Sequence, residues 1–389
     1  MLIMKNTKNI TGEKMKIKFL SLKEQYQEIR REIDRAVLRT LKSGWYILGQ
    51  EGQRFEEKFK NYLVGNSPGY VVGLNSGTDA IRLSLLAAGV KPGEEVITVA
   101  NTAIPTISAI CSIGAKPVFV DIDRDTWLLD WRQIEKNITR KTRAMVVVHL
   151  YGNCAEMKEI MPIARKYNLL VVEDTAQACG SLYQGRKAGT LGDFGAFSFY
   201  PTKNLGADGD AGAIFIRQKK YYEKLKMLRN YGQSSRYYAK IPGGVNSRLD
   251  EIQAAILSLK LRYLDRWNKI KYKLALTYQE KIRQLNLPLQ YQKISPEVIP
   301  AYHLFVVRLL DRKRDELRNY LKQQGIETLI HYPVAANKQP AFASYHSKKL
   351  PVTEQLVKDI VSLPFHQYIT EKDIEYLFRT LKNFFAGRF

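Results

Sequence analysis

Lys203 is the side chain in this sequence best placed for covalent chemistry, because it lies between an apolar strand and a glycine-rich loop. The apolar run Phe197–Phe199 precedes it, and three glycines follow it within residues 206–212. Burial disfavours the charged form of an amine, which lowers its pKa and makes it a better nucleophile toward a carbonyl carbon. Ser198, in the same run, offers a hydroxyl group to a phosphate. We therefore expect Lys203 to react with a carbonyl group.

Two further segments carry polar residues at the ends of predicted strands. Ser76 can cap the helix that follows strand 70–74, and Gly77 lets a ligand approach the backbone, where the N–H groups of the first helical turn favour an anion. Asp174 follows the buried strand 169–173, and ligands of open α/β sheets bind outside the carboxyl ends of strands. Its carboxylate could pair with a protonated ring nitrogen. Each segment alone also fits a simpler structure, an ordinary capped helix or a capped turn.

The elements between residues 70 and 216 alternate in a way that predicts a mostly parallel sheet. Short β-branched runs alternate with amphipathic segments such as 79–88 and 156–167. Strands that are apolar on both faces and separated by helices indicate a sheet covered on both sides. The predicted strands are 70–74, 96–100, 117–120, 144–148, 169–173 and 213–216, and the apolar run before Lys203 is a further strand.

The rest of the sequence predicts a smaller α+β unit and an amphipathic helix over residues 22–42. A single long helix over residues 248–284 is expected to link the large unit to the small one. After it we expect strand 302–309, helix 313–324, strand 327–330 and helices near 353–361 and 371–384. The predicted organisation is a possible N-terminal extension over 1–18, a large domain over 19–260 and a small C-terminal domain over 261–389.

Composition narrows the function classes. The net charge is +23, but lysines and arginines are scattered from end to end, which argues against a nucleic-acid or membrane surface and leaves no such partner predicted. The three cysteines form no C-x-x-C pair and their number is odd, which is typical of a reducing compartment such as the cytoplasm and argues against a disulfide scaffold or a metal site. The sequence contains no run of about 18 apolar residues, so no membrane-spanning helix is predicted.

Several motifs together resemble one family, the DegT/DnrJ/EryC1/StrS sugar aminotransferases, which are fold-type-I enzymes that use pyridoxal 5′-phosphate (PLP). The resemblance runs from about Phe19 to the C-terminus. It implies an α/β PLP-dependent transferase fold with a mostly parallel seven-stranded sheet and a smaller α+β C-terminal domain. The motifs are SGW-YILG (43–49), NSGTDA (75–80), GAKPVFVDID (114–123), VVEDTAQACG (171–180), GDFGAFSFYPTKNLGADGDAG (192–212), NSRLDEIQAA (246–255) and IHYP (330–333).

The resemblance also implies roles for matching residues. Lys203 would form the Schiff base with PLP and then move a proton between Cα and C4′. Asp174 would keep the pyridine nitrogen protonated, which maintains the ring as an electron sink. Gln177 would contact the 3-oxygen of the cofactor. Gly77, Thr78 and Ser198 would hold the phosphate, Asn246 would reach the phosphate in the other subunit of an obligatory homodimer, and His331 and Tyr332 would bind substrate.

The implied reaction transfers an amino group, with L-glutamate as the expected donor, to a nucleotide-linked keto sugar. The wording NSRLDE favours a 3-keto over a 4-keto sugar, and the small Ser247 after Asn246 is expected to leave the sugar room to rotate. Two departures from the family pattern concern the substrate. Ala103 stands where the family commonly has an aromatic residue that stacks on the PLP ring, so that Ile104 or another group would cover the ring. Asn337 replaces a histidine that is usual in the family. The alternatives are a 4-aminotransferase, a dehydratase of the same fold, against which Lys203 argues, and a non-catalytic regulatory or binding protein.

Overall fold

The computed structural model describes residues 16–311, 313–345 and 349–387, and its largest element is a seven-stranded sheet. The strands lie in the order β1-β9-β8-β5-β4-β2-β3, and β9 runs antiparallel to both of its neighbours while the other pairs are parallel. They are β1 (Tyr70–Leu74), β2 (Glu95–Val99), β3 (Lys116–Val120), β4 (Thr142–Val148), β5 (Leu170–Asp174), β8 (Phe194–Ser198) and β9 (Gly212–Ile216). The predicted mostly parallel seven-stranded sheet is confirmed.

The strands carry apolar side chains on both faces of this sheet, and helices therefore cover both faces. One face packs on α4 (Gly77–Ala88), α5 (Ile104–Ser112) and α7 (Lys219–Leu228). The opposite face packs on α3 (Gln50–Val64), α6 (Met157–Lys166) and α8 (Glu251–Lys260). The first helices of the described chain, α1 (Leu22–Glu28) and α2 (Arg30–Ser43), lie against α8 and the start of the following helix.

A second, antiparallel sheet has the order β12-β14-β15 and its own apolar core. Its strands are β12 (Leu289–Tyr291), β14 (Phe305–Leu309) and β15 (Ile360–Leu363), and its helices are α9 (Leu264–Gln284), α10 (Arg314–Gln323), α11 (Pro351–Asp359) and α12 (Glu371–Phe385). This is the expected smaller α+β part. The remaining strands are short: β6 (Leu182–Tyr183), β7 (Arg186–Lys187) and β13 (Val298–Ile299) form one sheet, and β10 (Gln233–Ser235) and β11 (Tyr238–Ala239) another.

Two segments that were each predicted as one helix are each divided into two helices. The segment 248–284 holds two helices, α8 and α9, separated by a turn at 261–263, and the segment 22–42 is divided at Ile29 into α1 and α2. Both breaks follow from packing. Lys260, the last residue of α8, donates to the carbonyl oxygen of Gly206 and to Asp208, which fixes that end of the helix against the loop after Lys203. Ile29 is buried against the region of Trp267.

The predicted strand at 327–330 was also wrong, because only Leu329 forms a bridge, with Ser362. The N-terminal segment takes up the neighbouring positions: Ile17 pairs with Ile326, and Glu327 accepts a hydrogen bond from the backbone N–H of Phe19. Most of the predicted extension, residues 1–15, lies outside the described residues. Within the part of the chain that is described, no helix has the length and apolar character needed to cross a membrane.

Candidate active site

An anion cradle lies where α4 begins after β1. The Ser76 side chain accepts a hydrogen bond of 3.2 Å from the backbone N–H of Asp79 and so caps the helix. A Cβ atom on Gly77 would lie 2.5 Å from Cβ of Ser198, so the close approach of these two predicted phosphate ligands requires glycine. The first N–H groups of a helix, here including Thr78, have no intrahelical acceptor. Together with the Ser198 hydroxyl they fit a phosphate group.

Asp174 ends β5 and is buried, with only 6% of its surface exposed. Its Oδ2 accepts a hydrogen bond of 2.7 Å from Oγ1 of Thr106, and its Oδ1 accepts one of 3.2 Å from the backbone N–H of Ala176. Burial raises the pKa of Asp174, while these hydrogen bonds and the positive charge of Lys203 oppose that rise. A buried carboxylate of this kind favours a cationic partner, such as a protonated ring nitrogen.

The neighbouring Glu173 holds this strand end in place. It is fully buried, and its two oxygens accept hydrogen bonds from three backbone N–H groups in the loop 189–192 and from Nε2 of His149. Nδ1 of His149 accepts from the backbone N–H of Ala155, so the proton of the neutral ring lies on Nε2. Asp174 therefore lies at the end of a strand where the neighbouring Glu173 already has its hydrogen-bond partners.

Lys203 lies in the turn after β8, where its backbone N–H donates to the carbonyl oxygen of Tyr200 over 2.8 Å. Burial lowers the pKa of Lys203 to about 8, against an opposing effect of Asp174. With this pKa about a tenth of the Lys203 amine is uncharged at pH 7 and about half at pH 8, far more than for an ordinary lysine. The sequence predicted such a lowering of the pKa from the position of the residue. An uncharged amine is the form that attacks a carbonyl carbon.

The next residue, Asn204, anchors the turn to two distant segments. Its Nδ2 donates to Oδ1 of Asn268 and to the carbonyl oxygen of Ala301, both over 2.8 Å. Its Oδ1 pairs with Nδ1 of His303 at 3.2 Å. Because Nδ2 is engaged with two oxygens, Oδ1 is the acceptor and the proton of the His303 ring lies on Nδ1.

Gln177 joins the large sheet to the segment that carries His331 and Tyr332. Its Oε1 accepts from the backbone N–H of Tyr151 over 2.8 Å, and its Nε2 donates to the Tyr332 hydroxyl over 2.9 Å. The Tyr151 hydroxyl donates to the carbonyl oxygen of His331. Burial raises the pKa of Tyr332 to about 12 and lowers that of His331 to about 4, so both side chains are uncharged at neutral pH. They can offer hydrogen bonds to a substrate without adding charge.

Asn246 lies beside the cradle but at the surface of the chain. Its side chain is exposed, and its backbone carbonyl oxygen accepts a hydrogen bond of 3.4 Å from Nδ2 of Asn75. Ala103 precedes α5, whose first residue, Ile104, is also exposed. The proposed contact of Asn246 with a second subunit's phosphate and the proposed cover of the ring by Ile104 stay predictions.

Sequence reasoning missed three groups of residues around the site. Thr106, which orients Asp174, lies in the first turn of α5, and nothing in the neighbouring sequence marks its role. Tyr151 and His303 carry no motif of their own. Asn204 lies in the motif that contains Lys203, but its partners come from segments far apart in sequence and could not be predicted. The sequence located the amine and the carboxylate, whereas their supports emerge only from the tertiary structure.

These residues fit PLP. The cradle of Gly77, Thr78 and Ser198 suits its phosphate, Asp174 suits its ring nitrogen, and the amine of Lys203 suits its carbonyl carbon. Among the described residues no group of histidine, cysteine and acidic side chains could hold a metal ion. The site thus combines an anion cradle, an amine of lowered pKa and a buried carboxyl group, which is a set suited to carbonyl–amine chemistry.

Comparison with known proteins supports the same assignment. A model of the DegT/DnrJ/EryC1/StrS aminotransferase family matches residues 27–382. A pleiotropic regulatory protein of Geobacillus stearothermophilus is 41% identical over 95% of this chain and 99% of its own. A dTDP-3-amino-3,6-dideoxy-alpha-D-galactopyranose transaminase of Aneurinibacillus thermoaerophilus is 43% identical over 92% of this chain and 97% of its own. The crystal structure of S. venezuelae DesV in complex with a ketimine intermediate has a TM-score of 0.90 at 40% identity, and the match covers 95% of this chain and 98% of that one.

Proposed function

This chain belongs to the DegT/DnrJ/EryC1/StrS aminotransferase family, and from that membership we propose that it aminates the keto group of a nucleotide-linked sugar. The protein is a PLP-dependent aminotransferase. The observation that carries the proposal is the buried amine of Lys203, which shares one site with Asp174 and the cradle at Gly77.

The residues of the chain divide the work of such a reaction. PLP, when bound, supplies an electron sink for the carbon that loses its proton. The cradle residues and Asp174 hold the two ends of the cofactor and fix its orientation. Lys203, whose pKa of about 8 lies close to working pH, is suited to take a proton from one carbon and return it to another. Uncharged Tyr332 and His331 offer hydrogen bonds to the hydroxyl groups of a sugar.

We favour amination at C3 over C4. The segment Asn246–Glu251 has the wording NSRLDE, which resembles 3-aminotransferases, and a relative of this chain is named as a transaminase of a 3-amino sugar. Ser247 is fully buried and donates to Oδ1 of Asn75 over 3.0 Å, and its effect on the room left for the sugar stays a prediction. The preference for C3 therefore depends on the motif and on the relative.

Product analysis tests both the reaction and its position. Purified protein is incubated with PLP, L-glutamate and either 3-keto or 4-keto dideoxy sugars linked to dTDP or UDP, and the products are identified by NMR. We expect a 3-amino sugar from the 3-keto substrate, and a loss of several orders of magnitude in Lys203→Ala, since the variant lacks the amine that performs both steps. Amination of only the 4-keto compound overturns the choice of C3, and full activity of Lys203→Ala overturns the assignment of the lysine.

The amino donor, the assembly and the compartment complete the proposal. We propose L-glutamate as donor by analogy with the family, and a homodimer in which Asn246 of one chain serves the phosphate site of the other. An exposed apolar patch supports a subunit interface, since contiguous patches of this kind mark interaction sites. It consists of Leu38, Leu41, Trp45, Tyr46 and Ile47. Three free thiols are consistent with a reducing compartment, which supports the cytoplasm.

A regulatory protein of the same fold is the second candidate, because one relative carries a regulatory name. A regulator has no need of an amine whose pKa is lowered beside a buried carboxylate, and this chain has both. The product analysis separates the two candidates. Absence of turnover with every keto sugar and donor, in protein whose PLP is bound to Lys203, would favour the regulatory role.

A further inference from the structure

A small, partly open cavity of about 40 Å³ lies on the far side of the Lys203 turn, between the large sheet, α1 and the small sheet. Its walls include two lysines, Lys203 and Lys271, and two histidines, His303 and His366. Ser21, which precedes α1, and Gln25 within it add polar groups, and the lining contains no aspartate or glutamate. The cavity is therefore polar and bounded by nitrogen bases without a carboxylate to balance them.

Lys271 is the unusual member of this wall. It projects from α9, is 7% exposed, and donates one hydrogen bond of 3.0 Å from Nζ to the carbonyl oxygen of His303. The centre of the Phe365 ring lies 5.4 Å from Nζ of Lys271. Throughout the described ranges no carboxylate lies within ion-pair distance of Lys271, so two of the three N–H groups of its charged form lack a partner. Buried charges in proteins are normally paired, because an unpaired one loses its hydration without compensation.

The two histidines add little positive charge to the cavity near neutral pH. His303 donates its Nδ1 proton to Asn204, and burial holds its pKa well below the ordinary value. Burial also lowers the pKa of His366, with Glu24 and Asp373 opposing the shift and Lys271 adding to it. Near neutral pH both rings are thus uncharged, and Lys271 is the source of uncompensated positive charge in this cavity once Lys203 has bound the cofactor.

We propose that the cavity binds one small monatomic anion, chloride or bromide, as the counter-ion of Lys271. The volume of about 40 Å³ exceeds the roughly 10–15 Å³ that one water molecule needs, and a chloride ion is only slightly larger than water. The ion accepts hydrogen bonds from the free N–H groups of Lys271, and the side-chain amide of Gln25 supplies a further N–H donor in the wall. The Ser21 hydroxyl donates to Glu24 and is not counted among the donors.

Ion binding and protonation of Lys271 are then coupled. Without an anion, burial lowers the pKa of Lys271 to about 7. The anion binds only the protonated amine, so its affinity is highest below pH 7 and falls as pH rises above 7. The pKa values of both His303 and His366 are lowered from 6.5, and Lys203 is engaged by the cofactor in the holoenzyme, so above pH 7 the dependence belongs to Lys271.

The first test measures the thermal unfolding midpoint of the holoenzyme against chloride concentration, with gluconate replacing chloride at constant ionic strength. A ligand that binds only the folded state raises the midpoint. We expect a chloride-specific rise at pH 6.5, a smaller rise at pH 8.5, and none in Lys271→Met, which keeps the length of the side chain without its charge. Equal behaviour in the two salts, or of the two proteins, overturns the proposal.

The second test needs no variant and so stays decisive if Lys271→Met does not fold. Holoenzyme crystals grown in bromide are examined for an anomalous peak within hydrogen-bond distance of Nζ of Lys271. A peak at the bromide concentration that raises the midpoint supports the site. Water at that position, or a peak seen only at molar bromide without a thermal effect, contradicts it as an adventitious ion only. Neither readout involves sugar turnover, so the result is independent of the proposed function.

Discussion

At the scale of single residues, burial brings Lys203 and Asp174 toward their uncharged forms from opposite directions. It lowers the pKa of the amine and raises that of the carboxyl group, and each opposes the shift of the other. Pairs of this kind are common at catalytic sites, where a group must both gain and lose a proton near neutral pH. The pair is therefore suited to a cofactor that brings a carbonyl group and a basic ring nitrogen.

The pKa of Lys203 predicts how fast cofactor-free protein takes up PLP at different pH values. Only the uncharged amine attacks the carbonyl carbon, so the rate should rise with pH and level off above about pH 8. Stopped-flow absorbance after mixing with PLP measures this rate, and Lys203→Ala gives the baseline for non-covalent binding. A rate that continues to rise toward the ordinary lysine pKa of 10.5 would contradict the burial of the amine.

Sequence reasoning worked best at this scale, for residues whose chemistry is local. Lys203 and Asp174 could be predicted because each lies at the end of an apolar strand run. Thr106 and His303 could not be predicted, since their importance depends on which side chain they meet across a separation of 68 and 99 positions, with Asp174 and Asn204 respectively. No local pattern records such a meeting.

At the scale of elements, the beginning of α4 and the end of β8 form the phosphate cradle together. The two elements approach so closely that a single methyl group at Gly77 would overlap with Ser198. Helix N-termini bind anions through backbone N–H groups, which requires that side chains leave the backbone open.

We predict that Gly77→Ala weakens PLP binding by about tenfold or more, because the added Cβ forces β8 and α4 apart. Equilibrium dialysis of PLP against cofactor-free protein measures the change. Gly209→Ala is the matched control, since its Cβ would meet only the flexible amide of Gln253, at 3.0 Å. Equal PLP affinity in the two variants would show that the cradle does not depend on this contact.

At this scale the sequence predicted which segments are helices or strands better than it predicted where a helix is interrupted. Six of the seven strands of the large sheet were predicted to within two residues, because buried strands of such a sheet are apolar throughout. For β8 the run Phe197–Phe199 marked only the end of the strand. The break between α8 and α9 was missed, since neither glycine nor proline marks residues 261–263. That break results from the anchoring of Lys260 to the loop after Lys203, which is a tertiary contact.

At the scale of the whole molecule, the predicted division at residue 260 remains a proposal, as does the dimer. The exposed patch around Trp45 and the exposed side chain of Asn246 are the surfaces that a second copy would use. In such a dimer each cofactor site draws residues from both chains.

A mixing experiment tests the shared site. Lys203→Ala and Asn246→Ala are each expected to be inactive, and subunit exchange between them should restore part of the activity. In the mixed dimer one site has both residues intact. A chain with both substitutions, mixed with Lys203→Ala, serves as the control and should restore nothing. If subunit exchange is confirmed and no activity returns, Asn246 does not act across the interface.

The hydrogen bonds of Asn204 have a consequence for the order in which this chain acquires its structure. They tie the turn of Lys203 to positions 64 and 97 residues further along, Asn268 and Ala301. When residue 216 has left the ribosome, every strand of the large sheet has been synthesised, yet the turn of Lys203 lacks these two anchors until about 85 more residues have emerged. Stable capture of the cofactor thus reports that both sheets have formed and docked.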